Sequence, residues 1–174
     1  MRQKKIIEKL HTAFAEVEQA AELVPETLFF QQPFPGKWSV AEHADHLFLA
    51  VKPLVGLFGK PEVMLANWGK SNGISRSYND LLAVYREKVK GVRTNTFVTP
   101  LEELTKSKRQ VIEDLVAINR SFLVRASLFT EKELDMYQVP HPVIGMLTAR
   151  EFLYFTHFHT QMHCETIRNL AAAR

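Results

Sequence analysis

Apolar residues in this chain recur in steps of three and four, and no convincing alternating run accompanies them. The clearest series are Ile6, Leu10, Ala13, Val17 and Ala20, then Val40, Ala44, Leu47, Val51 and Leu54. Further on come Leu104, Val111, Leu115, Ile118 and Phe122, and last Phe152, Thr156, His159, His163, Thr166 and Leu170. Such spacing puts one apolar stripe on each helix, and a striped helix is stable only when the stripe is buried against others. Start signals of the Ser/Thr-x-x-Glu kind support the same reading: Ser39 to Glu42, Thr99 to Glu102 with Pro100 at the first helical position, Thr130 to Glu133, and Thr148 to Glu151. In each, a side-chain oxygen and a carboxylate can satisfy backbone N–H groups that a helix start leaves unpaired.

The chain has 174 residues, and four long helices fill it with one long connection left over, from Gly59 to Ser77, carrying Pro61, Gly69 and Gly73. A shorter amphipathic stretch from Tyr78 to Val89 adds an extra helix within that crossover. The expectation is an all-α four-helix bundle with long crossover connections, forming a single domain over residues 1–174. Pro53 lies inside the second stripe, so a kink or an early helix end near Leu49 is expected.

Twelve Phe and an ample aliphatic content exclude intrinsic disorder, and the lone Cys164 excludes a disulfide scaffold. The charged N-terminal run leaves no apolar core for a signal peptide, and the most apolar stretch, Leu47 to Phe58, is interrupted by Lys52 and Pro53. A soluble, cytoplasmic protein without membrane contact is expected. Net charge is +3, and the densest basic knot, Lys106 to Arg109, fits a solvated helix face better than a nucleic-acid footprint.

Chemistry concentrates in seven histidines. His159 and His163 are four residues apart, so they share one helical face about 6 Å apart along the axis, whereas His157 points to the other side. Both occupy positions of an apolar stripe, where an unpaired imidazole is costly. His43 and His46, on the helix opened by Ser39, can each bring a third imidazole to the same cavity. Three nitrogen ligands with an open position form a catalytic Zn²⁺ site, and Ni²⁺ or Fe²⁺ also accepts imidazoles. Other features read as structural. Trp38 is a packing residue at the helix entry, Asp45 a surface residue, and Arg150 and Glu151 parts of a helix cap. Cys164 is a half-buried, inert thiol, and His141 lies in a rigid exposed turn between Pro140 and Pro142 that could also rim a cavity mouth. Gly69-Lys70-Ser71 lacks the first glycine and the strand that a phosphate loop requires.

The run from Trp38 through His46-Leu47, then Gly145-Met146-Leu147-Thr148-Ala149-Arg150-Glu151, then His159-x-x-x-His163, resembles the DinB/YfiT-like superfamily of metal-dependent enzymes. The resemblance spans nearly the whole chain. It implies a four-helix bundle with long crossovers and a divalent metal, Zn²⁺ or Ni²⁺ before Fe²⁺ or Mn²⁺, held by His46, His159 and His163. Thr166 stands where many members place Gln, so the hydrogen bonding behind the ligands can differ. Members are similar to thiol S-transferases, mycothiol-dependent isomerases and hydrolases. The resemblance therefore implies activation of a water or a thiol on a small-molecule substrate, with a low-molecular-weight thiol as one candidate.

Periodicity and resemblance differ on the third ligand. At about 100° per residue, with Leu47 as reference, His43 lies about 40° away, inside the stripe, and His46 about 100° away, at its edge. We take His46 as the ligand and His43, with Thr166, as candidates for hydrogen bonding behind it. The rival expectation is a non-catalytic binding or dimerisation module with a vestigial metal site; aromatic-rich faces would allow a homodimer.

Overall fold

The computed structural model describes residues 1–90, 100 and 105–172. Four long helices dominate it: α1 (Gln3–Glu22), α3 (Val40–Gly59), α6 (Lys108–Ser127) and α8 (Ala149–Ala172). Four shorter ones join them: α2 (Glu26–Phe29), α4 (Pro61–Trp68), α5 (Tyr78–Lys88) and α7 (Glu131–Met136). In the bundle α3 packs on α6 and α8, and α1 packs on the same two helices from the other side.

Three sets of contacts fix the helix directions. The start of α1 meets the start of α8, where Arg150 Nη1 donates to the Met1 carbonyl (2.8 Å). The start of α6 meets the end of α1, where Lys108 Nζ donates to the carbonyls of Glu22 (2.7 Å) and Val24 (2.8 Å). The start of α3 lies beside the later turns of α8, where His43 and His163 touch. Helices α1 and α8 therefore run one way and α3 and α6 the other. Because α3 and α6 are parallel, the chain must return the length of the bundle between them, and α4 and α5 lie on that return.

Three of the four helix starts read from the sequence form reciprocal caps, at Ser39/Glu42, Thr130/Glu133 and Thr148/Glu151. The signal at Thr99 and Glu102, with Leu104, lies outside the described residues. Helix α6 instead begins at Lys108 and is capped by Ser107 and Gln110, a Ser-x-x-Gln box with the same physics. Its basic start is partly tied down: besides Lys108 on the end of α1, Lys106 pairs with Asp114 (2.6 Å) and Arg109 with Glu113 (2.7 Å).

Two expectations are corrected. Helix α3 does not end near Leu49 but continues through Pro53 to Gly59. Pro53 is exposed, while Val51, Leu54 and Phe58 on either side of it are buried. Burial of such side chains contributes about 1.5–3 kcal/mol each, enough to offset the roughly 3 kcal/mol that an internal proline costs. The chain also forms strands: β1 (Gln138–His141) and β2 (Gly145–Thr148) make an antiparallel hairpin pairing Val139 with Leu147 and His141 with Gly145. Four-residue strands interrupted by Pro140 carry too few alternating positions to announce themselves. Gly145 closes the turn at φ +87°, a conformation that side-chain-bearing residues seldom adopt.

The buried core divides into two clusters. One joins Val51, Leu54 and Phe58 of α3 to Phe152 and Phe155 of α8, and the other joins Ala44 and Leu47 to Cys164 and Ile167. On α8, His159 and His163 fall between the two clusters, and on α3, His43 and His46 lie along the stretch that belongs to the second. No helix of the described residues is long and apolar enough to cross a membrane.

Candidate metal centre

Each half of the site is carried by a helix with a capped start. Ser39 Oγ accepts from the Glu42 amide (3.2 Å) while Glu42 Oε2 accepts from the Ser39 amide (2.6 Å), which fixes the first turn of α3 and so the directions of His43 and His46. At α8, Thr148 and Glu151 cap each other, and Arg76 clasps the Glu151 carboxylate through Nε (2.8 Å) and Nη2 (3.0 Å). Burial opposes ionisation of Glu151, but hydrogen bonds from Arg76 and Thr148 outweigh it and hold the carboxyl below the usual range. Arg150 is equally committed, to Asp135 (2.6 Å) and Glu131 (2.7 Å). Glu151 caps the helix, as expected, whereas Arg150 takes no part in the cap and ties the helix start to α7 and to the N-terminus.

His46, His159 and His163 converge. His46 Nε2 lies 3.0 Å from His159 Nε2, and His163 Nε2 lies 3.1 Å from the same atom. One nitrogen from each ring lies within 4.8 Å of the others, and all three side chains are buried. An imidazole nitrogen has a single proton or a single lone pair, so one Nε2 facing two others serves two hydrogen bonds poorly. The same arrangement suits a shared cation. Nitrogens about 2.0–2.1 Å from one Zn²⁺ would lie roughly 3–3.4 Å apart. The electrostatics agree. Burial, followed by the neighbouring His46, holds His159 down at about 3, and burial with His159 holds His163 lower still. His159 and His163 are therefore neutral at ordinary pH, the form in which imidazole binds metal. The donor set thus fits a divalent metal.

His43 stands behind this group. Its Nδ1 is 2.9 Å from His163 Nδ1, and it is half-buried, with its pKa lowered to about 4 by burial and by His46. The azimuth drawn from the apolar stripe is therefore misleading. Ala44 and Leu47 join a cluster shared by three neighbours, with Val17 of α1, Val111 and Leu115 of α6 and Cys164 and Ile167 of α8, so the stripe does not mark the one direction that faces α8. His46 faces α8 and is only 4% exposed. The Thr166 hydroxyl donates to the Met162 carbonyl of its own helix (3.0 Å). It shares with His43 the wall of a recess of about 540 Å³. His157 points away, as expected, and meets the Tyr78 hydroxyl at 3.0 Å.

Several surroundings differ from expectation. Trp38 does pack at the helix entry, but it packs on the site, its indole 4.9 Å from the His46 ring, 5.4 Å from His43 and 6.3 Å from His163 between centroids. Asp45 is buried rather than on the surface, and its Oδ2 has no hydrogen-bond partner among the described residues. Helix α3 is covered on more sides than its stripe implies, because α2 and α4 also touch it. Cys164 is buried rather than half-buried, and burial pushes its thiol pKa up. His141 is buried instead of exposed, tucked against the Phe155 ring at 4.4 Å.

A cavity of about 660 Å³ opens on the three histidines. Trp38, aliphatic residues of α3, the β1–β2 turn, and Phe152 and Phe155 of α8 form its wall, and no Lys, Arg, Asp or Glu among the described residues lines it. A family model described as the DinB superfamily matches residues 9–167. No curated protein and no solved structure matches the chain.

Proposed function

We propose, from the premise that the chain belongs to the DinB superfamily, that it is a metal-dependent enzyme in which His46, His159 and His163 hold one divalent cation at the cavity wall. The observation that carries this reading is the convergence of three buried imidazoles through Nε2 at 3.0 and 3.1 Å. When bound, a divalent cation there supplies Lewis-acid chemistry, making a water or a thiol acidic enough to serve as a nucleophile near neutral pH. The chain's own residues do the rest. For His163 to present the Nε2 lone pair, its proton must sit on Nδ1 and be donated to His43 Nδ1, which fixes the tautomer and the ring plane. The Trp38 indole closes one side of the cluster, and the apolar wall keeps bulk water from a nucleophile generated there. Thiol transfer to an electrophile and hydrolysis both suit this arrangement, with a small molecule as substrate.

Metal analysis of protein purified without a histidine tag tests the site. About one equivalent of divalent metal per chain is expected, and it is lost in His46→Ala, His159→Ala and His163→Ala. Wild-type protein that neither retains metal nor binds added Zn²⁺ or Ni²⁺ would refute the reading. Cobalt substitution separates the two reactions: a thiol transferase develops a sulfur-to-metal charge-transfer band on adding a small thiol, whereas a hydrolase does not.

A further inference from the structure

The cavity has one polar group besides the histidine cluster whose protonation state the backbone dictates. His141 Nδ1 accepts hydrogen bonds from two main-chain amides of the β1–β2 turn, Val143 N–H at 3.1 Å and Ile144 N–H at 3.2 Å. A nitrogen that accepts from amides carries no proton, so the neutral ring must hold its proton on Nε2. The residue is only 9% exposed, and its ring lines the cavity. Among the described residues Nε2 has no hydrogen-bond partner, and it is not one of the sealed, unsatisfied atoms of the core, so this N–H is open to the cavity. Burial lowers the pKa of the ring to about 4, which keeps it neutral through the physiological range.

Position adds to this. The Phe155 ring touches both His141, at 4.4 Å edge-on, and His159, at 5.2 Å in a stack, so the two polar groups share one aromatic neighbour. Since no charged side chain among the described residues lines the wall, a charged ligand body would lose its hydration without a countercharge. An uncharged acceptor loses far less and can recover it through one donor.

We propose that His141 is a substrate-binding residue whose Nε2–H donates to an uncharged carbonyl oxygen of an apolar, aromatic-sized substrate, in the cavity that it shares with the three histidines. The inference rests on the reading that this cavity receives the substrate, and it does not depend on which metal is bound.

The test uses metal-free protein and three probes of one shape: acetophenone, ethylbenzene and benzoate. The chain has two tryptophans, Trp38 and Trp68, and both line the cavity, so their indole N–H resonances in ¹⁵N-labelled protein report occupancy. Acetophenone is expected to bind about five- to tenfold more tightly than ethylbenzene, the increment of one neutral hydrogen bond, and benzoate more weakly than acetophenone. His141→Asn keeps an acceptor for the two turn amides but has no Nε2–H. It and His141→Phe should bring acetophenone down to the ethylbenzene level without changing ethylbenzene. Equal binding of the two neutral probes by the wild type, an acetophenone advantage that survives both substitutions, or a parallel loss of ethylbenzene would each overturn the proposal. Metal content of the same variants should equal that of the wild type. A wild type that binds no metal would refute the metal-dependent reading and leave this result standing.

Discussion

Removing His43 separates a ligand from a residue that only steadies one. His43 makes one contact with the cluster, the 2.9 Å approach of its Nδ1 to His163 Nδ1. Loss of such a partner behind a metal ligand typically weakens metal binding by about 10–100-fold, or roughly 1.4–2.8 kcal/mol. The surroundings place the expected value within that range. His43 borders the 540 Å³ recess, so in His43→Ala a water can enter and accept the His163 Nδ1 proton in its place, which points to about tenfold. His43→Phe fills the space with a ring that accepts nothing and leaves that N–H unpaired, which points to about a hundredfold. Competition with a chromophoric zinc chelator at fixed pH measures both, with metal content by mass spectrometry as a check and His46→Ala as the ligand control. Loss of metal from His43→Ala with retention in His46→Ala would refute the reasoning and make His43 the ligand.

Two further outcomes follow from buried charge and buried neutrality. Below the unfolded-state histidine pKa of about 6.5, the unfolded chain takes up a proton that folded His141, held at about 4, does not accept. Its contribution is complete above that pH and is lost as the pH falls toward 4, by up to about 3 kcal/mol, with His159 acting in the same direction. Denaturant titration of metal-free protein at neutral and mildly acidic pH measures the loss, which His141→Asn should reduce; a flat profile would contradict it. Arg150→Met strips its partners from Asp135 and Glu131, both of which keep some access to water. It should therefore cost about 2–3 kcal/mol and lower Tm by roughly 5–10 °C, and a melting curve superimposable on the wild type would disprove the anchoring role.

The helices were readable because stripe and cap agree: Ser39/Glu42 and Thr148/Glu151 mark starts that the apolar spacing independently requires. Likewise His159 and His163 were readable, because four-residue spacing on a buried face leaves few other places for two imidazoles. What a single stripe cannot give is how many neighbours a helix has. That is why Asp45 read as exposed and why His43 read as more interior than His46, whereas His141 read as exposed because the prolines on either side of it mark a turn. The hairpin escaped because Pro140 and Pro142 mask four-residue strands. Helix α4, from Pro61 to Trp68, was read as connection because so short a segment is helical largely through the partners it meets.

His46 and His159 are 113 residues apart in sequence, and no shorter fragment containing only one of them holds the site. The nitrogens can meet only after the last helix has docked against the second of the four long ones, across the crossover, α6, α7 and the hairpin. Contacts of such separation are the slowest to form, because the intervening chain must be closed before they can contribute. A growing chain therefore cannot assemble a half-built cluster that captures metal early; the site becomes available at the completion of the fold. By the same connection, a cation held there ties the early turns of α3 to the late turns of α8, and fraying of α8 beyond His163 is expected to slow in amide exchange when metal is added.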